Sequence, residues 1–332
     1  MTDGGSRSIV RFFLNAIVNR LEVTDLMPST LTVGVCNERT FEAALGWLYR
    51  ELPTETRSAE VDAARRELAP ENLVVIARGD EFLGALVAEC SAGRVGWIGE
   101  VSLLNSAASD IARPLIRFAS SRLAAAGARL VQALLPPEDG LAPVFEASGF
   151  FEPTRILRMN SGSDTPFVSN RAAPALEWLA FSQDTRAEFE RIVQLTYRHS
   201  LDIPELEGLR PIQEVIEGYR SAGSFRADLW QLSRRHGESV GCVLLLPWPQ
   251  QSCCELQYMG VVPDARGQGL GRALCVRAIE NARNSGAPDV FLWVDERNVP
   301  ATRLYESLGF QETERRRLFL RKLTTLDAVD TF

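Results

Sequence analysis

Two hexamers, "FEASGF" at residues 145–150 and "YESLGF" at residues 305–310, stand 160 positions apart. Each comes near the end of a similar succession of elements, and self-similarity at a fixed offset signals a repeated structural unit. On the N-terminal side, periodicity predicts a strand at "TLTVGVC" (30–36) and helices at "ERTFEAALGWLYREL" (38–52) and "TRSAEVDAARREL" (56–68). Strands follow at "NLVVIARG", "EFLGALVAEC" and "RVGWIGEVSLL", then the helix "IARPLIRFASSRLAAAG", the strand "RLVQALL", a short helix and a final extended segment. On the C-terminal side the order recurs: strand "ALEWLAFSQ", helices "TRAEFERIVQLTYRHS" and "PIQEVIEGYRSA", and strands "ADLWQLSRR", "SVGCVLLLPW" and "CELQYMGVV". A helix over 269–285, the strand "DVFLWVD", the helix "PATRLYESL" and a terminal "RRRLFLRKL" complete it. The chain reads as two copies of one α/β fold. The stretch "NSGSDTPFVSNRAAP" between them, rich in Gly, Ser, Asn, Asp and Pro, reads as a linker.

The boundaries expected are a tail over 1–29, a first domain over 30–159, the linker over 160–174 and a second domain over 175–325. The tail contains "SIVRFFLNAIVNRL", whose apolar run is interrupted by Arg11, Asn15, Asn19 and Arg20 and followed by no small-residue cleavage site. No uncharged stretch is long enough to span a bilayer, so the expectation is cytoplasmic residence without a membrane partner. The net charge of −7 carries no basic field for nucleic acid. Six cysteines form no CxxC pair and only two histidines are present, which argues against a structural metal site.

The densest chemical signal is "VVPDARGQGLGRAL", residues 261–274, lying between a strand and a helix. The first amides of a helix have no internal partner and carry partial positive charge, so such a turn suits an anion. Gly267, Gly269 and Gly271 let backbone approach closely, and Arg266 and Arg272 offer fork-like donors. A Walker loop needs Lys and Ser or Thr after the last glycine, where Arg272 and Ala273 stand. A Rossmann turn needs G-x-G-x-x-G and more chain beyond Asp295 than remains. A glycine-rich turn without ligand stays open on this evidence.

Two motifs together go further. Val261, Pro263, Arg266, Gly267, Gly269 and Gly271 form "V-x-P-x-x-R-G-x-G-x-G". Asn298, Ala301, Leu304, Tyr305, Gly309 and Phe310 form "N-x-x-A-x-x-L-Y-E-x-x-G-F". The pair resembles the GNAT superfamily of acetyl-coenzyme A-dependent N-acetyltransferases. The resemblance covers residues 175–323 in element order and about 255–310 in motif. It implies an α/β (α+β) fold, here as two tandem GNAT-like domains, each a mixed, mostly antiparallel twisted sheet flanked by helices.

The resemblance also implies roles. Arg266, Gly267, Gln268, Gly269, Leu270, Gly271 and Arg272 would wrap the coenzyme pyrophosphate. Met259, Gly260 and Val261 would pair with the pantetheine arm, and an amide of that strand would polarise the thioester carbonyl. Tyr305 matches the general acid that protonates the leaving thiolate; packing at a helix start is its plainer reading. Asn298 matches a coenzyme contact, with a helix N-cap as the alternative. Glu255 lies where relatives carry a base for the amine, although alternation allows it to face solvent. Tyr197, His199, Asp202 and Glu205, in a polar, acidic segment, are read as recognising a cationic amine, small-molecule or peptide. Acetyl-CoA is the co-substrate and no metal is implied.

The N-terminal copy departs from the pattern. Its loop position reads "NSAASDIARPL", without glycine and with Asp110 near the helix start, while Phe145 and Glu138 replace Tyr305 and Asn298. Phenylalanine has no proton to give a thiolate, so activity is expected in the C-terminal copy alone. The alternative from another class is a catalytically silent acyl-CoA-binding sensor or scaffold.

Overall fold

The computed structural model describes residues 31–104, 109–161, 175–324 and 327. The expected tail, and the linker from residue 162 to 174, lie outside the described residues, while Asn160 and Ser161 belong to a strand. Among the described residues the chain divides into two compact units, one of residues 153–316 and one of residues 31–152 together with those from 317 onward.

The first unit along the chain contains β1 (Leu31–Val35), α1 (Phe41–Leu48), α2 (Thr54–Glu67), β2 (Leu73–Arg78), β3 (Glu81–Cys90), β4 (Val95–Leu103), α3 (Ser109–Ala125), β5 (Leu130–Leu135) and α4 (Ala142–Ala147). Its strands run in the order β1-β2-β3-β4-β5. All neighbours are antiparallel except β4 and β5, which pair in parallel from Val95↔Leu130 to Ile98↔Ala133. Two apolar clusters hold it, Phe41, Leu45, Leu48 and Leu73 with Val87 on one side and Leu115, Ile116, Val131, Phe145 and Phe150 on the other.

The second unit contains β6 (Phe151–Ser161), β7 (Glu177–Ala180), α5 (Arg186–Tyr197), α6 (Ile212–Ser221), β8 (Trp230–Arg235), β9 (Glu238–Trp248), β10 (Cys253–Val261), α7 (Leu270–Asn284), β11 (Asp289–Asp295) and α8 (Val299–Glu306). Its order is β6-β11-β10-β9-β8-β7, with β10 and β11 the parallel pair. The run "GCVLLLPW" in β9 is buried throughout, as a central strand covered on both faces requires.

The structure differs from the sequence reading at the last strand of each copy. β6, expected to close the first copy, pairs antiparallel with β11 from Val290↔Ser161 to Asp295↔Ile156. β12 (Gln311–Lys322), expected to close the second, pairs antiparallel with β5 from Arg317↔Leu135 to Lys322↔Leu130. Period-two alternation records that a strand forms but not which edge it joins. The side chains make the exchange unambiguous: Leu157 and Met159 pack among Val290, Leu292 and Leu308, and Phe319 packs on Phe145 at 5.6 Å.

Both copies share an irregularity on the strand before the loop. Leu86↔Val101 and Val87↔Gly99 leave Glu100 unpaired in β4, and Leu256↔Leu245 and Tyr258↔Leu244 leave Gln257 unpaired in β10. Such a bulge adds one residue and bends its strand. Burial pushes the Glu100 carboxyl up to about 7 from an ordinary 4.5, reinforced by Glu60, Glu89 and Glu67 and opposed by a hydrogen bond from Tyr49.

The exchange predicts where damage is felt. Met159→Ala should destabilise the second unit by about 2–5 kcal/mol and speed amide exchange in β9–β11, whereas Phe319→Ala should do the same in β3–β5. The opposite assignment of exchange rates contradicts the pairing. Glu100 carries a raised carboxyl, so its contribution is full below about pH 4.5 and is lost as pH rises through about 7. The melting-temperature gain of Glu100→Gln over wild type should therefore be larger at pH 8 than at pH 5.

Candidate active site

The ladder between β10 and β11 contains only three pairs, Cys253↔Asp289, Cys254↔Val290 and Glu255↔Phe291. β10 stays on β9 as far as Val261↔Gly241, so beyond Glu255 it turns away from β11. Backbone groups on that opened edge are free to pair with an extended chain, as in strand addition. Gly260 lets α5 close over this segment, because a Cβ there would lie 2.6 Å from that of Thr196.

At the end of β10, Gly267 and Gly269 take φ of +74° and +80°, which favours glycine, and Gly269 is the N-cap of α7. The bond from Ala273 N to Gly269 O at 3.3 Å opens the helix ladder. The amides before it, through Leu270, Gly271 and Arg272, have no intrahelical acceptor, an arrangement that suits an anion. Both arginines of the loop bond within the protein. Arg266 donates from Nε to Val261 O (3.0 Å), from Nη1 to His199 O (3.0 Å) and from Nη2 to Thr196 O (2.8 Å). It caps α5 and ties the glycine loop to the segment after that helix. Arg272 donates to Ser307 Oγ at 3.1 Å. The sequence reading missed Arg235, held at the loop by Gln268 Oε1 at 2.7 Å, since a β8 terminus shows no motif.

Tyr305 projects from α8 into the second unit's core, 5.7 Å from the Phe310 ring. Its hydroxyl makes no hydrogen bond among the described residues, and burial, with Cys275 and Asp202 nearby, holds its phenol well above the ordinary range. It is therefore a protonated donor without an acceptor. Asn298 accepts from Ala301 N at 3.3 Å and caps α8, and its side chain also bonds Asp202.

The acidic segment after α5 is hydrogen-bonded to the end of β11 and to the turn into α8. Asp295, wholly buried at the end of β11, accepts from Thr154 Oγ1 (2.6 Å), Ile203 N (3.0 Å), Arg297 N (2.8 Å) and the Arg297 guanidinium (2.7 Å). Asp202 accepts from Asp295 N at 2.9 Å, and Glu205 takes both Arg297 Nη1 and Nη2 at 2.9 Å. Arg297 holds the Glu205 carboxyl below its usual range, whereas burial raises that of Asp202. Glu205 is thus matched by Arg297 and Asp202 by backbone and Asn298. His199 is exposed at φ +54° and supplies its carbonyl to Arg266. The Tyr197 hydroxyl pairs with that of Tyr219 at 2.9 Å, and Tyr258 pairs with Thr196 at 2.7 Å.

Glu255 occupies the last paired position before the opening. Trp248 Nε1 donates to its Oε2 at 3.3 Å. Burial pushes its carboxyl up to about 7, opposed by Trp248 and Arg158. A carboxylate poised there exchanges protons near neutrality. In the first unit, Phe145 is fully buried against Phe150 and Phe319, and Asp110 stands in the first turn of α3. Residues 105–108 of its loop lie outside the described residues. Among the described residues no cluster of His, Cys, Asp and Glu could hold a metal, and no helix is long and apolar enough to cross a membrane.

Residues 196–310 match the acetyltransferase (GNAT) family. A mycothiol acetyltransferase of Nocardiopsis dassonvillei is 50% identical over 145 residues, 44% of this chain and 41% of that protein. Another, of Actinosynnema mirum, is 29% identical over 240 residues, 68% of this chain and 72% of that protein. With a third, of Thermobifida fusca, identity is 51% over 57 residues, so the match spans only 18% of that relative's length. Among solved structures, a GCN5-related N-acetyltransferase from Sphaerobacter thermophilus superposes with a TM-score of 0.61 at 16% identity, covering 90% of this chain and 97% of that one. A tandem GNAT protein from the clavulanic acid biosynthesis pathway gives 0.51 at 13% identity, covering 88% and 98%; at these identities both speak to fold alone. The residues that match the acetyltransferase (GNAT) family, 196–310, are thus those that carry the opened strand, the glycine loop and Tyr305.

Proposed function

We propose that the chain is an N-acetyltransferase that moves acetyl from acetyl-CoA to a primary amine, with its active site in residues 175–325. The observation that carries this reading is the opening of β10 from β11 beside a helix N-terminus, with the unpartnered Tyr305 hydroxyl on the following helix. The loop amides from Gly267 to Arg272 suit a pyrophosphate, and Arg235 adds positive charge beside them. The free edge of β10 at Met259, Gly260 and Val261 suits an amide-rich pantetheine arm. These residues fit acetyl-CoA, which supplies a thioester whose carbonyl the amine attacks, so that C–N forms as C–S breaks.

Within that complex the β10 edge presents amide N–H groups to the carbonyl oxygen as charge develops there. Glu255 takes the proton of the amine, through water, and its elevated carboxyl sets this near pH 7. Tyr305 donates its proton to the departing thiolate. Holding amine and thioester together provides the entropic part of the acceleration. The mycothiol acetyltransferase relatives direct the acceptor toward the mycothiol class, whose unacetylated form presents a free amine. The first unit keeps the fold while Phe145 replaces the acid, so one coenzyme site per chain is expected.

Thiol release from acetyl-CoA, measured with desacetyl-mycothiol and simpler primary amines, tests the reading. Tyr305→Phe should lower kcat roughly 10²-fold while leaving acetyl-CoA affinity unchanged in calorimetry. Binding without turnover, indifferent to that substitution, would instead favour a silent acyl-CoA-binding protein. The rate should rise with pH through about 7 and lose that limb in Glu255→Gln. Calorimetric stoichiometry should be near one acetyl-CoA per chain; two would contradict an inactive first copy.

A further inference from the structure

Acyl transfer as described leaves Gln257 without a task, although it sits where β10 opens. It is the extra residue of the bulge, with no partner on β9, and pairing to β11 has ended at Glu255. Its side-chain Oε1 is buried and has no hydrogen-bond partner among the described residues. Proteins rarely leave a buried amide oxygen unmatched, because it has given up water and gained nothing.

Side-chain donors on the same stretch of β10 and on the segment after α5 are engaged elsewhere. Tyr258 is bound to Thr196, Tyr197 to Tyr219, and Arg266 to three carbonyls. An incoming ligand can supply the donor that Gln257 Oε1 lacks. Charge narrows which one. A carboxylate at this position would favour an ammonium, whose lone pair is occupied and which attacks nothing. A neutral amide accepts one N–H of the free amine and leaves the lone pair available. The first unit makes the contrast, since the same bulge carries Glu100, bonded by Tyr49 and surrounded by other glutamates.

We propose that Gln257 Oε1 accepts a hydrogen bond from the amine of the acceptor and orients its lone pair toward the thioester, while Glu255, two residues earlier on the strand, receives the proton. This rests on the acetyltransferase reading and adds an acceptor-binding residue to it.

Full-length Gln257→Met preserves length and removes the acceptor atom. With desacetyl-mycothiol as the probe, its KM should rise roughly tenfold, with acetyl-CoA affinity unchanged. Its melting temperature should not fall, since no internal bond is lost. Gln257→Glu should move the rising limb of the pH–rate profile upward, an effect that a packing role does not produce. An unchanged amine KM in Gln257→Met overturns the proposal. Parallel weakening of acetyl-CoA also overturns it, by assigning the amide to the coenzyme arm, as does a drop of several degrees in melting temperature. Wild-type protein that turns over no amine removes the acetyltransferase reading and this inference together; wild-type turnover with indifferent variants removes only the inference.

Discussion

The end of the β10–β11 ladder at Glu255 is the constraint on which the rest of the site depends. Parallel strands joined by a helix ordinarily continue side by side, but here the inserted Gln257 bends β10 while its pairing to β9 continues. Three features hold the bend. Gly260 admits Thr196 of α5, Gly241 admits the carbonyl of Gly260, and Tyr258 is clamped between Tyr197 and Tyr219. The open edge is thus built into the packing of α5 on the sheet, and the glycine loop begins where that strand stops.

A second constraint is the buried carboxylate of Asp295. A wholly buried charge persists only where several hydrogen bonds match it. Asp295 has them from Thr154, Ile203 and Arg297, and each donor belongs to a different piece of the site. Thr154 comes from β6, Ile203 from the segment after α5, and Arg297 from the turn into α8. Arg266 makes the complementary tie from the glycine loop to the end of α5. The acidic groups Asp202 and Glu205 are, in three dimensions, bonded to the end of β11 and to Arg297.

The duplicated fold shows which parts are architectural. Both copies keep the parallel pair that ends early, the bulge and the helix that follows. The first copy has Phe145 in the place of Tyr305, buried among Phe150 and Phe319, so the position serves packing when the hydroxyl is gone. Opening a strand is a property of the fold; the glycines and the tyrosine are what the acetyltransferase reading needs in addition.

Much of this was legible in one dimension, and for identifiable reasons. Element type and order follow from local periodicity, the duplication from a constant offset, and the family from glycines that must take positive φ at fixed spacing from Tyr305. Asn298 as an N-cap was legible as an alternative because capping is local. Four things were decided only by the tertiary structure, each depending on contacts distant in sequence. Strand exchange was hidden because alternation does not name a strand's neighbour. The carbonyl-capping of Arg266 was hidden because a guanidinium serves any oxygen it meets, and here these lie about seventy positions away. The matching of Glu205 and Asp202 was hidden because hydrogen-bond partners 92 and 93 residues apart leave no spacing signal. Gln257 was hidden because a bulge is a property of two strands in register, and neither strand's sequence records it alone.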